Sequence, residues 1–433
     1  MTSHLLVLVH GMWGNPGHLA ELNRIAKETI PDPNLHILLA ETNKEDSTYD
    51  GIDWGGERVA EEIVAEVEKL KQEGRTVTKF SITGYSLGGL VSRYVVGILR
   101  QRGFFENVTP VNFNTIATPH LGLPRYPSFF SSLASVLGPK LLSRTGEQFY
   151  CVDKWSAKDR PLLEVMADPD RIFYQALAAF QTIRIYANSV NDRTVAYVTA
   201  AIEVDDPFAT RGTNGLELEI DEQYKHLIKS YSLPPVPPPA TPKPTVLSPS
   251  WFKSLKPTRP FLPPFLQFRF PINIALYALL PVLIPVFMSL AIVRLSLAAR
   301  SSRARIRLLE NDASNSQKLA HILAQLEKQV EDAVVELIDD DAHAAAEPID
   351  DPERALATKG RCSPKHPQEL PILTPTQRRI ASWLNRLPLK KERAYFPNAL
   401  NSHALIICRD VKNFEAHRQG EGIVRHWADS FVL

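Results

Sequence analysis

The pentapeptide Gly84-Tyr85-Ser86-Leu87-Gly88 sets a hydroxyl between two glycines. Phe80-Ser81-Ile82-Thr83 before it reads as a strand, and Leu87-Gly88-Gly89-Leu90-Val91 after it reads as a helix. Strand, sharp turn and helix in that order form a nucleophile elbow. The turn is tight, so side chains at 84 and 88 would clash, and glycine stands at both. A lone serine hydroxyl is a weak nucleophile near neutral pH. It needs an adjacent base, and the base needs an orienting carboxylate.

In elbow-bearing folds the partners follow the serine in the order acid, then histidine. The acid belongs just past a core strand. Ile183–Ala187 followed by Asn188-Ser189-Val190-Asn191-Asp192 meets that condition, so Asp192 is the expected acid, ahead of Asp205 and Asp206 beyond the next apolar stretch. The histidine belongs late in the chain. His403, before Ala404-Leu405-Ile406-Ile407, is the expected base. His417 and His426 are also late, but His426 lies in a terminal helix beside Trp427 and reads as a packing residue. His120, in Ala117-Thr118-Pro119-His120-Leu121-Gly122, comes too early for the base and is a candidate for lining the site. The developing oxyanion requires backbone N–H donors already in place. Leu87 supplies one, and the loop His10-Gly11-Met12-Trp13-Gly14 the other, assigned to Met12, with Gly11 as its loop glycine. His10, Trp13 and Tyr85 are further lining candidates.

The elements that must position these residues are legible as alternating strand and helix patterns. Leu5–Val9, Leu35–Leu39, Val77–Thr83, Val111–Ala117 and Thr182–Ala187 read as strands. Gly56–Leu70 and Leu87–Leu99 read as helices. The expected fold is α/β, an α/β-hydrolase with a mostly parallel central sheet. A lid-like insertion and a long helical and apolar insertion precede the final strand–helix segment. The boundaries read as follows: a core over 1–205 with the lid at about 121–179, a proline-rich linker at 206–264, an apolar membrane-associating segment at 265–300, an amphipathic helix at 301–345, a disordered stretch at 346–395, and the part of the core carrying the histidine at 396–433. Tyr126–Leu142 is apolar and serine-rich, which suits either a core helix or a mobile lid.

Composition narrows the partners. A net charge of +1 over 433 residues argues against a nucleic-acid surface. Three widely spaced cysteines, Cys151, Cys362 and Cys408, give neither a disulfide framework nor a zinc site, and favour a reducing, intracellular compartment. Leu5–Val9 is too short for a signal peptide and reads as a core strand. No phosphate loop, metal cluster or calcium loop is visible, so no cofactor is expected.

Pro271–Val293 carries no charge and is long enough for a membrane span, which needs about 20 apolar residues. A single span would separate Ser86 and Asp192 from His403. The segment must therefore be a hairpin, a surface element or buried in protein. Pro281 and Pro285 favour a break, and the flanking Arg269, Arg294, Arg300, Arg303, Arg305 and Arg307 favour both ends on the cytosolic side. A monotopic hairpin is the expectation.

Together, Val9-His10-Gly11-Met12-Trp13-Gly14, Tyr49-Asp50-Gly51-Ile52-Asp53, Gly84–Gly89, Ala117–Gly122, Asn191-Asp192-Arg193-Thr194-Val195, His403–Ile407 and His426-Trp427 resemble the Putative serine esterase family of lipase-like hydrolases, especially its fungal lipid-droplet phospholipase branch. The resemblance covers about residues 1–205 and the last thirty or so. It implies hydrolysis of lipid esters with Ser86, Asp192 and His403 as the triad, and attachment to lipid droplets. The expected function is a lipase or phospholipase acting on phospholipid or neutral lipid at a membrane or droplet surface. An acyl-protein thioesterase or other carboxylesterase is the second reading, and a non-catalytic droplet scaffold the third.

Overall fold

The computed structural model describes residues 1–236 except Ala157, residues 272–311 and 370–433, and the single residues Pro238 and Ser248. Its centre is one eight-stranded sheet in the order β2-β1-β3-β4-β5-β8-β7-β6. The strands are β1 (Thr2–Val9), β2 (Leu35–Leu39), β3 (Thr76–Tyr85), β4 (Thr109–Ile116), β5 (Thr182–Asn188), β6 (Glu217–Ile220), β7 (Leu227–Ser232) and β8 (Leu389–Ala394). The first five and β8 run parallel, while β7 and β6 close one edge antiparallel. This mostly parallel sheet with helices around it is the α/β-hydrolase architecture.

Local chemistry explains the central strands. Leu5, Leu6, Val7 and Leu8 of β1 have no exposed surface. A run apolar on both faces is what a parallel strand covered from both sides requires. The covering helices are α1 (Ala20–Thr29), α2 (Ile52–Gln72) and α3 (Leu87–Gln101). Val59, Ile63 and Leu70 of α2 recur at helical spacing and are fully buried. Every residue of α3 up to Leu99 is buried. Two cores result, one on each face of the sheet, around Phe80, Ile82 and Tyr94 and around Leu6, Ile406 and Trp427.

Between β4 and β5 lie α4 (Phe129–Leu141), α5 (Ser143–Phe149), α6 (Leu162–Val165) and α7 (Ile172–Ala178). The insertion divides physically. No residue of α4 is buried, and Phe129 and Phe130 are 75% and 79% exposed. By contrast Leu162, Leu163, Val165 and Phe173 sit in the core. The exposed part of the insertion is therefore α4, while α6 and α7 pack into the core.

After β5 come α8 (Tyr197–Ala200), the β6–β7 hairpin, α9 (Ile272–Asn311), α10 (Pro375–Leu384), β8 and α11 (Glu421–Asp429). Three expectations differ from what is found. The stretch expected as a linker from 206 holds the two strands β6 and β7. The stretch expected to be disordered up to 395 holds α10 and β8. Thr374 starts α10 with a reciprocal capping box to Gln377. The break expected at Pro281 and Pro285 is absent, since one 40-residue helix runs through both. At 1.5 Å per residue it is roughly 60 Å long. Proline removes one helical hydrogen bond and can leave the helix continuous where its outer face is open. Tyr277–Glu310 is long and apolar enough to cross a membrane, and among the described residues none of its most apolar window is buried. The remainder of the amphipathic stretch expected at 301–345, together with Cys362 and residues 346–369, lies outside the described residues.

Candidate active site

Ser86 occupies the turn between β3 and α3 with φ 55° and ψ −125°. That backbone is strained for a residue with a side chain. It persists because the surroundings fix it: the Ser86 N–H donates to the Ile116 carbonyl at 2.9 Å. A Cβ at Gly84 would overlap the backbone of Gly88 and Gly89, and one at Gly88 would overlap the carbonyls of Val9 and His10. A Cβ at Gly11 would come within 2.7 Å of the Ser86 Cβ. The glycines thus let the elbow and the loop after β1 pack backbone to backbone. That contact brings the loop carrying Met12 beside Ser86 and Leu87.

His403 lies in the segment after β8. Its Nε2 lies 3.0 Å from Ser86 Oγ, and its Nδ1 lies 2.9 Å from Asp192 Oδ2. Ser86, Asp192 and His403 are thereby brought together in the order a proton relay requires. Asp192 is held in place by its own loop. Its Oδ1 accepts the N–H groups of Thr194 and Val195, and its Oδ2 accepts the Asn188 amide at 2.8 Å. Burial alone would raise the Asp192 carboxyl, but the adjacent His403, the Val195 N–H and the Asn188 amide outweigh it and hold it below the ordinary carboxylate value. The carboxylate stays charged beside the imidazole it orients.

Residues not singled out from the sequence join the acid loop to the histidine loop. Ser402 donates its hydroxyl to the Val190 carbonyl at 2.8 Å and its N–H to Asn191 O. The Asn191 side chain donates to the carbonyls of Phe396 and Pro397. Asn191 itself takes a positive φ of 62°, a conformation asparagine tolerates. The cluster Asn188–Asn191 was a usable signal, because asparagine-rich loops can cap their neighbours.

The lining candidates separate. Trp13 is half-exposed at the rim, with its indole N–H donating to the Tyr49 hydroxyl at 2.8 Å. His10 is buried, its Nδ1 is 3.0 Å from Gly11 O, and burial lowers its pKa. Tyr85 lies behind the site, donating its hydroxyl to the His403 carbonyl. His120 is a core residue and not a wall of the site. It is 2% exposed, its Nε2 lies 2.8 Å from Thr115 Oγ1, and its carbonyl accepts from Arg93. The apolar core around it explains the difference, since burial drives its pKa well down and keeps the ring neutral. His417 pairs with the Asp410 N–H and His426 with the Tyr186 hydroxyl, both away from Ser86. Asp206 accepts the N–H groups of Phe208 and Ala209 as a turn residue.

Among the described residues no group of three or more His, Cys, Asp or Glu side chains could hold a metal ion. Cys151 and Cys408 are free thiols, raised by burial.

Similarity to known proteins follows the same boundaries. A protein of Schizosaccharomyces pombe described as a putative lipase is 31% identical over 211 residues, which is 47% of this chain and 26% of that protein. Putative lipase ROG1 of Saccharomyces cerevisiae is 28% identical over 206 residues, 46% of this chain and 28% of that protein. The chain thus spans about a quarter of the length of these relatives. Among solved structures, a protein of Lactobacillus plantarum described as a putative cell surface hydrolase aligns at 14% identity with a TM-score of 0.28, covering 46% of this chain and 74% of that one. The family model described as Putative serine esterase (DUF676) matches residues 1–203, the segment that contributes Ser86, Asp192 and the Met12 loop. Over residues 1–203, the chain is similar to the Putative serine esterase family.

Proposed function

We propose that this chain is a serine hydrolase that cleaves acyl esters of glycerolipids, phospholipids included, at a membrane or lipid-droplet surface through an acyl-enzyme. The observation that carries the reading is His403 bridging Ser86 Oγ and Asp192 Oδ2 at 3.0 and 2.9 Å. In the first half-reaction Ser86 Oγ attacks the ester carbonyl while its proton passes to His403 Nε2. Asp192 fixes the tautomer and stabilises the resulting imidazolium. The carbonyl oxygen becomes an oxyanion facing the Leu87 and Met12 N–H groups. His403 then gives its proton to the departing alcohol. In the second half-reaction water attacks the acyl-Ser86 ester with His403 as base, releasing the fatty acid and restoring the hydroxyl.

The lipid surface is supported by two exposed apolar elements that touch each other. Helix α4 presents Phe129, Phe130, Leu133 and Val136 to solvent. Helix α9 packs against α4 and presents Val282, Phe287, Met288 and Leu290. Contiguous exposed apolar surface of this kind marks an interaction site. Arg294 and Arg300 follow the apolar part of α9 and suit an anionic interface. β7, before α9, and β8, after it, pair in one sheet and so would share one side of a membrane. A helix lying in the interface fits that constraint.

The test uses purified full-length protein and its Ser86→Ala variant, treated with a fluorophosphonate probe and then offered phospholipid, triacylglycerol and thioester vesicles. Ser86-dependent labelling with release of fatty acid from glycerolipid supports the reading. Labelling with release from thioester alone would replace it with the thioesterase reading.

A further inference from the structure

Asp50 has no exposed surface and stands at the meeting point of three elements. Arg58 of α2 pairs with its Oδ2 at 2.9 Å. From the long helix α9, Ser302 donates its hydroxyl to Oδ1 at 2.7 Å, and Arg305 pairs with the same oxygen at 2.8 Å. Arg305 also donates to the Asp46 carbonyl at 2.9 Å. Burying a carboxylate costs its hydration unless hydrogen-bonded partners replace it, and α9 supplies two of these three partners.

The turn that ends at Asp50 bears on the oxyanion loop. It is the 3-10 turn Glu45–Tyr49. Thr48 Oγ1 accepts the Trp13 N–H at 3.2 Å, the Tyr49 hydroxyl accepts the Trp13 indole N–H at 2.8 Å, and the Glu45 N–H donates to the Gly14 carbonyl at 2.9 Å. Trp13 takes φ 53°, so this loop holds its shape only because its neighbours impose it. Helix α5 grips the same turn from the other side, through Thr145 Oγ1 donating to the Thr48 carbonyl at 2.6 Å. The two braces meet where Ser143 Oγ donates to Ser302 Oγ at 3.2 Å.

We propose that α9 is a positioning element of the active site: Ser302 and Arg305, acting through Asp50, hold the Glu45–Tyr49 turn and with it the loop that aims the Met12 N–H at the oxyanion. The inference rests on the hydrolase reading above. It assigns the apolar helix a second task besides meeting lipid. Because hole donors act only when already in place, a small displacement of the loop lowers the rate of the chemical step more than it weakens binding.

The experiment compares full-length wild type with Ser302→Ala, the double variant Ser302→Ala/Arg305→Gln, Arg305→Lys and Arg303→Gln. Arg303 donates to the Lys140 carbonyl and does not touch Asp50, so its loss loosens the same helix without reaching the turn. The readouts are kcat and KM on soluble p-nitrophenyl butyrate and the rate of fluorophosphonate labelling of Ser86. Circular dichroism checks the fold. The double variant is expected to lose about tenfold in kcat and in labelling rate, with KM within about twofold of wild type. Arg305→Lys, which keeps the charge and Ser302, should lose much less than the double variant, and Arg303→Gln should match wild type. A folded double variant with kcat and labelling rate within about twofold of wild type overturns the inference, as does an equal loss in Arg303→Gln. If the double variant does not fold, Ser302→Ala decides by the same readouts. A wild-type chain that does not label at Ser86 overturns the hydrolase reading itself, which separates the two failures.

Discussion

The Tyr85 hydroxyl donates to the His403 carbonyl at 2.9 Å, and their rings stand 5.1 Å apart. The residue before Ser86 therefore carries the loop of His403, although 318 positions separate the two. Burial raises the Tyr85 phenol far above its usual value, so it remains a donor at any working pH. Tyr85→Phe leaves a buried carbonyl without its partner, a cost of about 1–3 kcal/mol. The expected outcome is a several-fold loss of kcat with KM little changed, measured on a soluble ester. An unchanged kcat would mean that the Asn191 and Ser402 contacts hold His403 unaided.

The three relay residues act as a unit, so their single losses should be severe and should not add. Ser86→Ala and His403→Ala are each expected to cost roughly a million-fold in kcat. Asp192→Asn is expected to cost about 10⁴-fold, because the amide selects the wrong imidazole tautomer. Steady-state kinetics on the singles and the Ser86→Ala/His403→Ala double variant checks both statements. A double variant much slower than either single would contradict the unit.

Gly88→Ala should fail to give a folded enzyme. The added methyl would overlap the carbonyls of Val9 and His10 at the end of β1, which are backbone atoms in the sheet core and cannot give way. Overpacking costs typically 1–3 kcal/mol and more where the neighbours are rigid. Thermal unfolding of the purified variant is the measurement. Gly74→Ala is the contrast: nothing lies within 4 Å of its added carbon, though its φ of +78° still disfavours a side chain.

The pH dependence of stability has an identifiable contributor. Burial raises the Asp206 carboxyl to about 6, against the ordinary value of 3.8. A carboxyl raised in the folded state binds its proton more tightly there than in the unfolded chain. It therefore costs stability in full above pH about 6, and that cost fades as pH falls toward about 4. Asp206→Asn keeps an oxygen to accept the Phe208 and Ala209 N–H groups. The variant should melt at a higher temperature than wild type near pH 8, with the advantage shrinking near pH 4. An advantage equal at both pH values would show that the charge is not the cause.

Phe129 and Phe130 give the lipid reading a local test. Replacing both by serine removes apolar area that burial in lipid stabilises by about 1.5–3 kcal/mol per ring. Vesicle binding by flotation should weaken tenfold or more, while turnover of a soluble ester stays within about twofold. Loss of soluble turnover instead would make α4 part of the site's frame.

What the sequence discloses depends on whether a residue's reason is local. Gly84, Ser86 and Gly88 are legible because a tight turn constrains its own residues. β1 is legible because Leu5–Leu8 are apolar throughout. β8 is opaque because its reasons lie elsewhere in the chain. Leu389-Lys390-Lys391-Glu392-Arg393-Ala394 reads as solvated, yet it pairs between β5 and β7. Its charges are met at a distance: Arg184 pairs with Glu392, Glu203 pairs with Lys391 at 2.7 Å, and the Tyr231 ring lies under Arg393. The buried Asp50 is opaque for the same reason, since two of its partners lie more than 250 residues away. His120 shows the converse. A histidine beside a strand end looks chemical, and only its burial against Thr115 identifies it as core.

The place of β8 in the chain has a consequence in time. Chains emerge from synthesis N-terminus first. Ser86, Asp192 and the apolar helix α9 are all made before β8 and the His403 loop behind it. Until those segments dock, Ser86 Oγ lacks its contact with His403 Nε2. On the proposed reading, the apolar helix is therefore available to a lipid surface before the His403 loop has docked against Ser86.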